Sequence, residues 1–198
     1  MANRRVGVYA GTFNPVHAGH IAFALQALAT AKLDGIYFLP ERQPRYKKGV
    51  EHFAHRLAML DRALEPHPKL RALDLPDINF TVQRTLPRLQ KIHPDDQLVF
   101  LVGSELLATL PGWPYSDQLL KQAELVIGLR GFDTAEDVDK ELSVWKIQPK
   151  FTHIVQSYAP RISSTVIRDA LRRKQRVQGL LHSVERYSDR HWLYVSLA

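Results

Sequence analysis

Two histidines three residues apart, His17 and His20, open a segment with helical periodicity, so they share one face of that helix. The chain leading into them reads Ala10-Gly11-Thr12-Phe13-Asn14-Pro15-Val16. Gly11 permits a tight turn and a close approach of main-chain N–H groups to a ligand, and Thr12 adds a hydroxyl donor. A helix N-terminus has free N–H groups and a partial positive charge, both of which favour phosphate. Two imidazole donors added there make a site suited to a polyphosphate. The same pair is a weak metal signal, because it lacks a nearby carboxylate or third ligand, and no metal site is assigned. A second constellation, Arg161-Ile162-Ser163-Ser164-Thr165-Val166-Ile167-Arg168, lies late in the chain. Its hydroxyls precede a helical segment and can cap the first N–H groups. Arg168, one turn in, offers several donors to phosphate oxygens.

The elements that must hold these groups alternate between short apolar strands and longer helical patterns. Arg5–Ala10 reads as a buried strand, His17 to about Lys32 as a helix, and Ile36–Leu39 as a second strand closed by Pro40. A polar and basic loop, Glu41 to Val50, leads to a helix over Phe53–Leu64. Thr81–Ile92 is a further helix, interrupted or bent at Pro87, with Pro66, Pro68 and Pro76 marking a connecting loop before it. Strands follow at Leu98–Val102, Leu125–Leu129 and Phe151–Val155, and helices at Ala135–Val144, Ser164–Arg173 and Val184–Asp189. Such alternation implies an α/β fold with a parallel sheet covered on both faces. Ligands in such sheets bind beyond the carboxyl ends of the strands, where the strand order switches. Neither G-x-G-x-x-G nor G-x-x-x-x-G-K-[ST] occurs, which excludes a dinucleotide-binding turn and a P-loop.

Composition narrows the classes. At 198 residues the chain is expected to be a single domain over 1–198. It has no cysteine, so disulfides and thiolate chemistry are excluded. The apolar run Leu98–Val102 is far too short for a bilayer, and MANRRVGVYAG has no apolar signal segment, so a cytoplasmic protein without a membrane partner is expected. A net charge of +7 asks for an anionic partner. The positive residues are scattered apart from Arg172–Arg176, and no zinc-finger spacing, heptad or RNA-binding aromatic signature accompanies them. That favours small phosphorylated ligands over a polynucleotide.

Gly-Thr-Phe-Asn-Pro followed by His-x-Gly-His resembles the signature of the nucleotidylyltransferase superfamily, and Ile-Ser-Ser-Thr-x-Ile-Arg resembles its second phosphate-binding string. Val102-Gly103-Ser104-Glu105-Leu106-Leu107 and Leu110-Pro111-Gly112-Trp113 are similar to strings of the bacterial nicotinate-nucleotide adenylyltransferases. So are His55-Arg56-Leu57-Ala58-Met59-Leu60, Phe80-Thr81-Val82-x-x-Thr85-Leu86 and Leu129-Arg130-Gly131, which extends the resemblance from residue 5 to about 195. The resemblance implies a Rossmann-like, doubly wound parallel sheet of the nucleotidylyltransferase type. It implies that His17, His20, Lys48 and Arg168 serve nucleotide transfer, with Lys47 the alternative to Lys48. It implies that Gly11, Thr12, Phe13, Gly103, Glu105, Arg130, Ser163, Ser164 and Thr165 contact ATP, and that Trp113 stacks on a pyridine ring beside Thr81. Three departures stand out: Asn14 for the more usual Asp, Glu105 for Asp, and a loop Gln43–Lys48 unlike the family's Pro-Pro-His-Lys.

The implied reaction is attack by the phosphate of nicotinate mononucleotide on the α-phosphorus of ATP, giving deamido-NAD and pyrophosphate in NAD biosynthesis. A phosphate monoester, with a second pKa near about 6, is largely ionised at neutral pH. No general base is required, and alignment and charge neutralisation remain for the enzyme. Mg²⁺ would enter with ATP and keep much of its water. Transfer to nicotinamide mononucleotide or phosphopantetheine, or nucleotide binding with little turnover, stay as alternatives, and self-association is left open.

Overall fold

Segments of three to seven residues, most of them apolar and bounded by glycine, proline and polar turns, pair side by side in one parallel sheet. The computed structural model describes residues 3–45, 47–156 and 162–195, so Tyr46 of the basic loop and Arg161 of the late string lie outside the described residues. The strands are β1 (Arg5–Gly11), β2 (Gly35–Pro40), β3 (Leu70–Ala72), β4 (Gln97–Gly103), β5 (Glu124–Gly128) and β6 (Thr152–Val155). They are ordered β3-β2-β1-β4-β5-β6, and every neighbouring pair is parallel. The chain therefore runs outward from β1 to β3, then returns to lay β4 against the free side of β1. The crevice at that reversal opens beyond the carboxyl ends of β1 and β4.

Side-chain alternation sends each strand's residues to two cores. Tyr9, Val99, Leu101 and Val126 face one side, covered by α1 (Ala18–Thr30), α2 (Phe53–Leu64) and α7 (His182–Arg190). Val6, Val8, Phe100, Leu125 and Ile127 face the other, covered by α3 (Val82–Ile92), α4 (Ser116–Gln122) and α5 (Ala135–Ser143). Burial on both faces is what near-continuous apolar strands imply. The last helix, α6 (Ser164–Arg172), follows β6. Among the described residues no helix is long and apolar enough to cross a membrane.

The α/β reading holds, with local differences. Helix α3 runs unbroken through Pro87; the proline is exposed, so the helical carbonyl it leaves unpaired can face water. Strand β3 was hidden among prolines because three residues carry too little alternation to reveal a strand. Helix α4 has only seven residues and starts after Tyr115 at φ 64°, a left-handed turn that hydrophobic periodicity does not signal.

Phe38 is fully buried between Tyr9 and Phe13, with ring centroids 5.2 and 5.4 Å away. Phe38→Ala should lower unfolding free energy by about 3–5 kcal/mol in urea titrations. Phe132→Ala, at a side chain 98% exposed, should stay within about 0.5 kcal/mol of the parent. Equal losses at the two sites would contradict this placement of the core.

Candidate active site

The loop from β1 into α1 sits at the centre of the crevice. His17 is the N-cap residue of α1, and its main-chain N–H donates to His20 Nδ1 at 3.2 Å. That bond makes Nδ1 of His20 an acceptor and places its proton on Nε2. The two rings lie against each other at an interplanar angle of 30°, their centroids 3.6 Å apart. Gly19 makes this packing feasible, since a Cβ there would stand 3.1 Å from Cε1 and Nδ1 of His17. Burial lowers the His17 pKa to about 4, helped by the charge of Arg130. His20 is held well below the ordinary histidine value, first by burial and then by His17, Arg130 and Lys47. Both imidazoles are thus neutral at pH 7 and offer N–H donors rather than charge. Nδ1 of His17 has no hydrogen-bond partner within the chain.

The positive charge comes from elsewhere. Lys47 Nζ donates to Thr12 Oγ1 at 2.8 Å, and burial lowers its pKa, with Arg168 and Arg130 adding to the effect. The lysine that reaches the β1–α1 loop is therefore Lys47, through its bond to Thr12, rather than its neighbour Lys48. In an irregular loop adjacent residues point different ways, and no period in the sequence reveals which one turns inward. Arg168 on α6 donates from Nη1 to the Asn14 carbonyl at 2.8 Å and from Nη2 to Thr165 Oγ1 at 3.2 Å. Ser163 caps α6 by accepting from Val166 N, and Ser164 Oγ donates to the Pro15 carbonyl at 2.9 Å. Of the three hydroxyls of the late string, Ser164 docks α6 on the β1–α1 loop, Ser163 caps the helix and Thr165 holds Arg168. Neither α1 nor α6 has an acidic residue in its first turn, so the partial positive charge of each N-terminus is not neutralised locally.

A cleft of about 470 Å³ opens here, lined by His17, Gly19, His20, Gly103, Arg130 and Ile162 among others. Gly11 ends β1, and Phe13, buried at φ 48°, packs edge-on against His20 at 5.1 Å. Glu105 folds over Gly103, where any Cβ would collide with its carboxylate, and pairs with Arg130 Nε at 3.1 Å. Both partners are about half exposed, so their pairing is weak and open to exchange for a ligand.

Trp113 and Thr81 lie apart from this cluster. Trp113 is half-buried, its ring centroid 6.4 Å from that of Phe80. A hollow of about 260 Å³ beside Phe80 is lined by Leu39, Pro40, Glu41 and Thr85 as well. Thr81 is the N-cap of α3, its hydroxyl accepting from Arg84 N at 3.3 Å. Its side chain is committed to the helix, and Thr85 is the threonine that lines the hollow.

Arg56 has a structural role that the sequence reading did not single out. It is fully buried and donates to the carbonyls of Thr12, Glu41, Arg42 and Glu51 at 2.7–3.1 Å. A signal existed: Arg56 occupies the apolar face of α2 shared by Met59, Leu60 and Ala63, where an unpaired charge has no place.

The neutral state of His17 links folding to pH. Because its folded value, about 4, lies below the ordinary 6.5, its contribution to stability is complete above pH 6.5. It is lost as pH falls toward 4, because the unfolded chain takes up a proton that the folded one refuses. The loss is on the order of 3 kcal/mol. Ring-proton NMR should find His17 unprotonated at pH 5, and urea midpoints should fall between pH 7 and 4.5. A midpoint near 6.5 for His17 would contradict the buried geometry.

The profile of the cytidylyltransferase-like family matches residues 8–170. A protein of Carboxydothermus hydrogenoformans named a probable nicotinate-nucleotide adenylyltransferase is 32% identical over 182 residues, covering 88% of this chain and 89% of that one. The nicotinate-nucleotide adenylyltransferase of Bacillus subtilis is 29% identical, covering 98% of this chain and all of its own. The fold is similar to that of the Plasmodium falciparum nicotinic acid mononucleotide adenylyltransferase complexed with NaAD, with a TM-score of 0.79 at 19% identity over 97% of this chain and 98% of that one. With the β1–α1 string and the late Ser-Ser-Thr string gathered at one sheet reversal, the chain belongs to the cytidylyltransferase-like family and, within it, to the nicotinate-nucleotide adenylyltransferases.

Proposed function

We propose that the enzyme transfers the adenylyl group of ATP to nicotinate mononucleotide, with the residues of the β1–α1 crevice as its machinery. The observation that carries this reading is the gathering of Lys47, Arg168, two neutral histidines and two unneutralised helix N-termini around the β1–α1 loop, beside a cleft lined by His17, His20 and Arg130. In the reaction an oxygen of the mononucleotide phosphate forms a bond to the α-phosphorus, while the bond from that phosphorus to the oxygen bridging to the β-phosphate breaks. The electron pair leaves with pyrophosphate. The nucleophile is already ionised at neutral pH, so the chain needs donors rather than a base. The N–H of His20 suits an α-phosphate oxygen, His17 a neighbouring one, and Lys47 and Arg168 the charge that grows on the departing group. Gly11, Thr12 and Phe13 shape the floor beneath them. Arg130, with Glu105 and Gly103, forms the rim suited to the adenosine half, and the Phe80–Trp113 region offers flat faces to the pyridine ring.

Enzymes of this kind use a divalent metal with ATP, and we assign Mg²⁺ to that role. The ion would be carried by the nucleotide's own phosphates and keep much of its water. The same reading takes residues 1–198 as one domain working in the cytoplasm on nucleotide substrates.

Pyrophosphate release from ATP and Mg²⁺ should be fastest with nicotinate mononucleotide, compared in parallel with nicotinamide mononucleotide and phosphopantetheine. His20→Ala should lose at least about tenfold in kcat, on the scale of a lost charge-stabilising donor. Lys47→Ala should lose a similar amount and Lys48→Ala less than about twofold. Faster release with phosphopantetheine would overturn the substrate, and tight ATP binding without pyrophosphate from any acceptor would overturn the reaction.

A further inference from the structure

Tyr194 stands 180 residues from Asn14 in sequence, yet its hydroxyl donates to Asn14 Oδ1 at 2.8 Å within the buried interior. The tyrosine is 4% exposed and the asparagine 3%. Oδ1 of Asn14 also accepts from Glu51 N at 3.3 Å, and Glu51 Oε1 accepts from Tyr194 N at 3.4 Å. A closed ring of three residues results, fastened to Arg56 through the Glu51 carbonyl at 2.9 Å. The other end of Asn14 is occupied as well: its main-chain carbonyl receives Arg168 Nη1 at 2.8 Å. Tyr194 and Arg168 therefore grip the same residue, one by its amide and one by its backbone. Tyr194 adopts φ 60°, a conformation rare for an aromatic residue that persists only when its surroundings fix it.

We propose that Tyr194 is a positioning residue for adenylyl transfer, which aims the Arg168 guanidinium by fixing Asn14 in the β1–α1 loop. The inference rests on the adenylyl-transfer reading for its kinetic consequence and on geometry alone for the coupling itself. An amide suits this seat because its oxygen accepts from two donors without bringing a charge into the interior. Burial, reinforced by the neighbouring Glu51 carboxylate, pushes the Tyr194 phenol up in pKa and keeps its donor proton in place. Without the hydroxyl the ring still fills its space, while Asn14 loses its side-chain anchor and Arg168 its fixed acceptor.

The test is a double-mutant cycle with Tyr194→Phe, Asn14→Ala and the pair, read in kcat, in KM for the mononucleotide, in melting temperature and in the NMR resonance of the Arg168 Nε–H group. Tyr194→Phe should lower kcat about tenfold, leave KM within about twofold and shift the Arg168 resonance. In the Asn14→Ala background the same change should cost less than about twofold in kcat and leave the resonance in place, because a residue acting through Asn14 has nothing left to act on. Equal losses in both backgrounds would overturn the proposal, as would a lower melting temperature with kcat and the Arg168 resonance unchanged. Should the parent release no pyrophosphate, the adenylyl-transfer reading falls by itself, and the Arg168 resonance still decides the coupling.

Discussion

A single buried guanidinium organises the loops that border the crevice. Arg56 is fully buried in the core-facing side of α2 and meets four main-chain carbonyls: Thr12 in the β1–α1 loop, Glu41 and Arg42 where the basic loop leaves β2, and Glu51 where that loop returns. Burial lowers its pKa, but an arginine starts so high that it stays charged. A buried cation left without acceptors would be strongly destabilising, so the carbonyls must turn inward and the three segments must meet. Both ends of the basic loop are thereby clipped to the β1–α1 loop, and Lys47 is carried to Thr12 as a consequence. The ring of Asn14, Glu51 and Tyr194 fastens to the same clamp through the Glu51 carbonyl.

The sheet supplies the second constraint. Because β4 returns to the free side of β1, the carboxyl ends of both strands and the N-terminus of α1 face one crevice. Burial, helped by the cations around them, drives the His17 and His20 imidazoles neutral. Fixed charge and directional donors are thus divided between different side chains. Lysine and arginine supply charge, while the histidines supply N–H groups, that of His20 directed by the bond from the His17 main chain to its Nδ1. Such preorganised donors matter most where water is sparse.

Much of this was legible in the residues. The strand–turn–helix run into His17 and His20 and the hydroxyl string before Arg168 announced themselves, because local spacing encodes a helix start and its caps. The α/β alternation was visible for the same reason, since strands and helices carry different periods. What stayed hidden depends on contacts between distant segments. Lys47 and Lys48 are equivalent on paper, and only the fold of an irregular loop separates them. Thr81 and Thr85 belong to one string, yet the capping bond of Thr81 leaves Thr85 to line the hollow. The pairing of Tyr194 with Asn14 has no local trace at all. Arg56 lies between these cases, since its place on an apolar face marked it as a buried charge in need of partners, without saying which partners.

The central claim is that the Arg56 clamp positions the transfer site, and Arg56→Lys examines it most directly. Lysine keeps the charge but has no planar fork with which to hold four carbonyls at once. Pyrophosphate release by this variant, measured where circular dichroism shows it folded, should fall at least about tenfold, with Lys47→Ala adding little further because the loop is already released. Full activity in a folded Arg56→Lys enzyme, or an undiminished loss from Lys47→Ala within it, would contradict the account.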